Sequence, residues 1–599
     1  MNKLNIKTIK NSISELTAFA DKIATLDETE QYPTKYPSVY IADAEKQNGE
    51  HVAYVGESYN VVQRTNQHLA EKRNEDALQK LNRLDKNGLA NLHLIGHSHF
   101  NKSATLLIEQ MLMNYIIGDP KFGRVRRDEA QRENDFESAG ILNKRDDAQS
   151  DFYMRDEYEN KIFPAIWDQL AKENIVSKMS VVENSALFAN SPFKQLSKEQ
   201  LDAKHQIEDR IQTYMNSDSD ETKIIKIEGL AGTGKTVLMS ALFKDIYDFK
   251  DADDEKKDSM SVALLVRHEQ QLKVYEQLAK KLNMVDTVFE VPNFIAKGVK
   301  KDILLVDEAH LLWTGNYGRV NSNNWKPDLT ALKDLAKVIV LIYDPMQEIS
   351  GKSYLTPELK RDLDEAECFK LTNQWRINAS EDVKNYIQNI IDFKKNSLIS
   401  VPKSQEEQTY QLQFFDSATE MYSEILKKDQ QFGLSRVVAT FDWNFTSSKK
   451  PGDEDGIWYV SAGDLTLPWN LQLPEVKKGQ KKRIPWQAIP ESINEVGSNY
   501  TIQGSDLNYV GVILGPSVEW DKENNCLKID PKKSFATDAT NVYKTVKNVD
   551  GLTFEEEQAY KISNLQNILN VLLTRGVHGL YIYAENDELR EKLIQLNSK

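Results

Sequence analysis

The sequence predicts an α/β protein in which a small mixed domain precedes larger parallel-sheet units, and three observations carry that prediction. The apolar run Ile224-Ile225-Lys226-Ile227-Glu228 feeds Gly229-Leu230-Ala231-Gly232-Thr233-Gly234-Lys235-Thr236, which opens into Val237-Leu238-Met239-Ser240-Ala241-Leu242: strand, glycine loop, helix. Apolar runs at 261–267, 302–307 and 337–343 read as buried strands separated by helix-length stretches, the alternation a parallel sheet requires. Near the start, short strands at 38–42 and 51–56 flank Asn48-Gly49, a hairpin signal.

A chain of 599 residues exceeds what one hydrophobic core supports, and about three to five domains are expected. With 40% hydrophobic and 28% charged residues the composition is that of an ordinary water-soluble protein. No apolar run nears the roughly 20 residues that cross a bilayer, and Met1 to Lys7 lack a secretory core. The expected location is the cytoplasm, with Cys368 and Cys526 as reduced core thiols. The net charge of −15 excludes a uniformly basic coat, so contact with nucleic acid must use local patches. Two clusters offer themselves: Lys121, Arg124, Arg126, Arg127 and Arg132, and Lys477, Lys478, Lys481, Lys482 and Arg483.

Taken in order, residues 7–30 place Ile9, Ile13, Leu16, Phe19 and Ile23 at helical spacing and predict a helix. After the hairpin, 57–68 reads as a helix with Arg64 and His68 on one face. In 92–99 alternation puts His93, His97 and His99 on one strand face, a pattern open to metal binding or to a plain polar face. Residues 105–112 form a helical run that carries Glu109 among apolar neighbours. From 148 to 192, Phe152, Tyr158, Phe163, Ile166 and Trp167 imply a packed helical connector.

On these residues the first segment resembles the GIY-YIG nuclease family. Val39-Tyr40-Ile41 stands at the family's first motif and Tyr54-Val55-Gly56 at its second, with Val55 in place of the usual Ile. Arg64 matches the helix arginine, His68 the residue one turn later, and Glu109 the metal-binding glutamate; Asn114 and Asn134 are the candidates for its late asparagine. The resemblance implies a metal-dependent phosphodiesterase in which Tyr40, Tyr54 or His68 helps to activate water, Arg64 neutralises the scissile phosphate, and Glu109 holds Mg²⁺ or Mn²⁺. The residue types suit the chemistry, because cleavage needs charge compensation on the phosphate and an activated nucleophile.

In the larger part, the complete G-x-x-x-x-G-K-T places backbone N–H groups and a helix N-terminus around phosphate oxygens, with Gly229, Gly232, Thr233 and Gly234 shaping the turn. Lys235 then reaches the β/γ-phosphates and the Thr236 hydroxyl ligates Mg²⁺. The strand at 302–307 ends in Asp307-Glu308-Ala309-His310, which supplies a carboxylate for the metal's water shell, Asp307, and one for the attacking water, Glu308. Asp344-Pro345-Met346-Gln347, Leu371-Thr372-Asn373-Gln374-Trp375-Arg376, Gln503-Gly504-Ser505-Asp506 and Thr574-Arg575-Gly576 follow. In this order they resemble the motifs of superfamily 1 helicases, and over 196–584 they look most like the helicase-like module DUF2075, similar to the Schlafen group. The resemblance implies that Gln200 reads adenine, Gln347 senses the γ-phosphate, Arg376 contacts it from the second lobe, and Arg575 is the arginine finger. Trp443, Trp458, Trp469 and Trp486 beside the basic run at 477–483 are open to base stacking or to core packing.

The expected organisation is a GIY-YIG-like domain with its N-terminal helix at 1–145, a helical connector at 146–192, and two RecA-like lobes at 193–370 and 371–599. The second lobe carries an insertion at about 443–495. The expected function is an ATP- and Mg²⁺-dependent nuclease–helicase acting on nucleic acid, single-stranded or forked DNA ahead of RNA, in bacterial antiviral defence. It would work without a membrane and with a second copy or a defence protein as partner. The alternative is a nucleotide-dependent switch or helicase whose first domain binds without cutting, or an RNA-directed nuclease.

Overall fold

The computed structural model describes residues 4–597 apart from 24, 71–76, 124–151, 184, 220, 230–231, 249–259, 285, 315–325, 354–356, 375, 403–409, 447–455, 473–485, 503–505 and 542–552. At 28–29, 66–70, 77, 186, 270, 345, 351 and 357 it describes the backbone alone. The chain divides into two compact units. The first comprises Met1–Ser197, Ser240–Ser259 and Val274–Thr287, and the second Lys198–Met239, Met260–Lys273 and Val288–Lys599.

The first unit holds an antiparallel sheet of β1 (Leu4–Lys10), β2 (Ser38–Glu45), β3 (His51–Ser58) and β4 (Asn91–His97), in the order β1-β4-β2-β3. The helix expected over 7–30 is therefore corrected: 7–10 belong to β1 and the helix is Ile13–Ile23. Ile9 fits the helical series by coincidence, because in β1 it lies on the face that packs against Leu16 and Phe19, and the β4 ladder satisfies its backbone. Tyr40, Leu92, Leu94, Val61, Leu78 and Leu81 complete that core. Helix Lys102–Gly118 is capped by the Asn101 side chain at the Ala104 N–H and is buried over most of its length. Its C-terminal carbonyls, Ile117 and Asp119, accept from the buried Lys281 ammonium at 2.7 and 2.9 Å.

The second unit contains two wholly parallel sheets. One joins β5 (Lys223–Gly229), β6 (Val262–Val266), β7 (Val288–Glu290), β8 (Lys301–Asp307), β9 (Ala336–Tyr343) and β10 (Glu367–Leu371) in the order β10-β5-β9-β8-β6-β7. The other joins β11 (Gln411–Phe415), β12 (Arg436–Ala439), β15 (Val496–Gly497), β16 (Leu507–Leu514) and β19 (Gly576–Ala584) in the order β11-β19-β16-β12-β15. Hairpins β13 (Tyr459–Ala462)–β14 (Leu465–Pro468) and β17 (Val518–Asp521)–β18 (Cys526–Ile529) accompany the second sheet. This is the architecture of two RecA-like lobes and bears out the expected α/β class.

Trp469 and Trp486 are wholly buried in the core of the second sheet, and Trp443 and Trp458 pack against it. The first two are thereby assigned to packing rather than to base stacking. Cys526 is buried, whereas Cys368 is exposed on β10, an edge strand, and is not the core thiol expected of it. Among the described residues no helix is long and apolar enough to cross a membrane. Most of the first basic cluster (Arg124 to Arg132), all of the second, Asn134, and Gln503-Gly504-Ser505 lie outside the described residues.

Candidate active sites

In the second unit β5 ends at Gly229 and helix Lys235–Asp248 begins at the lysine of the glycine loop. Gly232 and Gly234 have φ of +84° and +78°, backbone that side chains rarely adopt. A Cβ on Gly232 would also come within 2.6 Å of Arg376 Cβ, and one on Gly234 within 2.1 Å of Gln200 Nε2, which would have to move. Such a close-fitting backbone cradle suits phosphate. The Lys235 ammonium is buried, hydrogen-bonded to the Gly229 carbonyl and 3.1 Å from the Asp344 carboxylate.

Asp344 was not singled out in the sequence, although an Asp before Pro-Met-Gln is an N-cap signal. It caps the following turn through the Met346 N–H at 3.1 Å and accepts from Gln347 Nε2 at 2.6 Å. Arg575 Nη2 in turn donates to Gln347 Oε1 at 3.3 Å. Lys235, Asp344, Gln347 and Arg575 thus form one buried polar chain from the glycine loop to the start of β19. Burial pushes the Arg575 guanidinium below its ordinary value, with Arg376 adding to this and Asp506, Glu308 and Asp344 opposing it; it remains charged at neutral pH.

β8 delivers Asp307 and Glu308 side by side, both buried. The Glu308 N–H donates to Asp307 Oδ1 at 2.9 Å, and Glu308 has φ +53°, a left-handed conformation that costs a non-glycine residue on the order of 1 kcal/mol. Burial alone would raise the Glu308 pKa, but His310, whose Nε2 lies 3.0 Å from Oε2, then Lys235 and Arg575 hold it below the usual carboxylate range. Glu308 is consequently an ionised acceptor. Thr236 lies in the first turn of its helix, so a hydroxyl and the Asp307 carboxylate are the hard oxygen donors that Mg²⁺ takes.

Gln200 and Arg376 both lie at the glycine loop. Gln200 Nε2 donates to the Thr233 carbonyl at 2.9 Å, on the glycine loop itself. Arg376 pairs through Nε with the Asp506 carboxylate.

In the first unit, the residues drawn from the hairpin and its helices also converge. The Tyr40 and Tyr54 rings lie 6.1 Å apart, and a Cβ on Gly56 would come within 2.4 Å of Tyr40 Cζ, so the phenol lies directly over the glycine backbone. Burial first, then Tyr54, raise the Tyr40 pKa well above its ordinary value, while the Arg64 charge lowers it and that of Glu109 raises it. Tyr40 is therefore a protonated donor at neutral pH rather than a base. Glu109 is buried on helix Lys102–Gly118. The His68 side chain lies outside the described residues. Glu57 carries no motif signal in the sequence: its buried carboxylate accepts from Thr105 Oγ1 at 3.3 Å and pairs with Lys102, two residues on the helical face that carries Glu109. His93 does not join His97 and His99; it bonds Asp43, and no metal-holding cluster occurs among the described residues.

Comparison with known proteins agrees with the larger unit. Residues 222–586 match the family model described as Schlafen group 3, DNA/RNA helicase domain. An uncharacterized protein of Saccharomyces cerevisiae, YPL245W, is 31% identical over 436 residues, covering 66% of this chain and 90% of the relative. Among solved structures, domain III of the Thermotoga maritima replication initiation protein DnaA aligns with 40% of this chain and 87% of its own at 15% identity. The TM-score is 0.19. By the match that spans both parallel sheets, the chain belongs to the Schlafen group 3 family and carries its DNA/RNA helicase domain.

Proposed function

We propose that the chain is an ATP-dependent nuclease–helicase. The observation that carries the motor half is the buried chain Lys235–Asp344–Gln347–Arg575, which ties the phosphate loop of one lobe to an arginine of the other. In this reading Gly229, Gly232, Thr233, Gly234, Lys235 and Thr236 hold the triphosphate and Gln200 lies at its base end. Thr236 and Asp307 hold Mg²⁺, which offsets phosphate charge. Water adds to the γ-phosphorus as the ADP oxygen leaves, its proton passing to Glu308, while Gln347, Arg376 and Arg575 meet the charge of the transition state.

The nuclease half rests on the convergence of Tyr40, Tyr54, Gly56, Arg64 and Glu109 within a GIY-YIG-like hairpin and helix. Glu109 holds the metal, Mg²⁺ or Mn²⁺, and Arg64 the scissile phosphate. The protonated Tyr40 donates to the reacting groups, leaving Tyr54 or His68 to orient water. The corresponding organisation is a nuclease domain at 1–145, a connector at 146–192, and lobes at 193–370 and 371–599 with the insertion at about 443–495. We assign it to the bacterial cytoplasm and to antiviral defence, acting on single-stranded or forked DNA ahead of RNA, alone or with a second copy or a defence protein.

The test is cleavage of labelled single-stranded, duplex and forked DNA, and of RNA, with Mg²⁺ or Mn²⁺ and with or without ATP. Lys235→Ala should abolish ATP turnover and leave basal cleavage, and Glu109→Ala should do the reverse; loss of both activities in either folded variant refutes separate sites. Turnover indifferent to every nucleic acid would favour the nucleotide switch. In a bacterial host, expression of the wild type but not of Glu109→Ala should lower phage plating.

A further inference from the structure

The segment that carries Arg376 is gripped at its root. As β10 ends, the Thr372 N–H and Oγ1 donate to Glu199 Oε1 at 2.9 and 2.7 Å, and the Asn373 N–H and Nδ2 donate to Oε2 at 3.2 and 3.0 Å. Four donors, four and three residues before Arg376, thus converge on a single carboxylate. Its neighbour, Gln200, holds the Thr233 carbonyl of the glycine loop. Two consecutive side chains at the start of helix Lys198–Met215 therefore hold both the phosphate loop and the arginine-bearing segment. Beyond the clasp, Gln374 and Arg376 close over the loop: a Cβ on Gly232 would come within 3.0 Å of Gln374 Nε2 and 2.6 Å of Arg376 Cβ.

We propose that Glu199 is a positioning residue that sets Arg376 over the phosphate loop, in register with the helix that carries Gln200. The idea rests on the ATPase reading and deepens it by adding a residue outside the motif set. A guanidinium is effective only where charge develops, and a misplacement of about 1 Å in a catalytic group lowers the rate by roughly 10²-fold. A bidentate carboxylate on two successive backbone N–H groups fixes both the position and the direction of the chain leaving them. Asp506, paired with Nε, steadies the guanidinium at its chain-side nitrogen.

The test uses the full chain. Glu199→Ala should lower kcat for ATP by on the order of 10²-fold with KM little changed. It should weaken ADP–aluminium fluoride, a transition-state mimic, while leaving ADP affinity intact. Glu199→Gln, which keeps one acceptor oxygen, should fall between. In an Arg376→Ala background the same Glu199 substitutions should have no further effect, because the residue acts through the arginine. Equal weakening of ADP and of its fluoride complex, or an undiminished effect without Arg376, overturns the assignment and leaves the ATPase reading standing. Turnover that survives Lys235→Ala overturns the ATPase reading, and this inference with it.

Discussion

Asp43 is a buried carboxylate between two histidines. Its carboxylate accepts from His93 Nε2 at 2.6 Å and His51 Nδ1 at 3.1 Å, and Thr8 Oγ1 lies 2.8 Å from His93 Nδ1. Burial would raise its pKa, but the bonds to His51 and His93 override this and hold it well below the usual range. A depressed carboxylate stabilises the fold fully above its unfolded value near 4; that contribution is lost as pH falls from there towards the folded value. Asp43→Asn should lower stability at neutral pH by about 3 kcal/mol and flatten the acid limb of melting temperature against pH. Gly56→Ala should displace Tyr40, costing roughly 1–3 kcal/mol by overpacking, and should reduce cleavage while ATP turnover stays. Lys235 and Glu308 stand in motifs that the sequence marks by fixed spacing, and Tyr40 and Gly56 in motifs that it marks only by resemblance. Asp43, Asp344, Glu57 and Glu199 were not legible there, because their partners lie up to 174 residues away and only the fold brings them together.

At the scale of elements, helix Phe554–Leu573 is more than a spacer before Arg575. It opens with a capping box, Thr553 with Glu556. From its other face Asn567 Nδ2 donates to the Glu348 carbonyl at 2.8 Å and Asn570 Nδ2 to that of Met346 at 3.0 Å. These amides pin the turn that bears Gln347 to the second lobe. Removing either should cost about 1 kcal/mol in stability, and removing both should slow ATP turnover more than it weakens ATP binding; a loss confined to stability counts against the coupling. The first parallel sheet was legible from the apolar runs at 224–228, 261–267, 302–307 and 337–343, and the second only from the resemblance of the motifs along it. β1 was not, because its alternation is short and Ile9 also suits the helix that follows.

For the whole molecule, the first compact unit includes Val274–Thr287 from the motor's sequence, and with it Lys281. That ammonium caps the helix of Glu109 through the Ile117 and Asp119 carbonyls. A fragment ending at 197 lacks the cap and should melt below the full chain, and Lys281→Leu in the full chain should cost about 2 kcal/mol, with cleavage falling before ATP turnover does. If the fragment melts and cuts like the full chain, Lys281 is dispensable.

β1 has one consequence of a different kind. It is an edge strand, and its outer row of backbone donors and acceptors is a template for another extended chain. Leu4-Asn5-Ile6-Lys7-Thr8-Ile9-Lys10 would be adhesive but for its two lysines, which make a neighbouring copy pay for burying charge. Replacing Lys7 and Lys10 with valine should leave both proposed activities unchanged in dilute solution and bring on turbidity as the protein is concentrated. The charges on this strand would then be understood as protection against self-association.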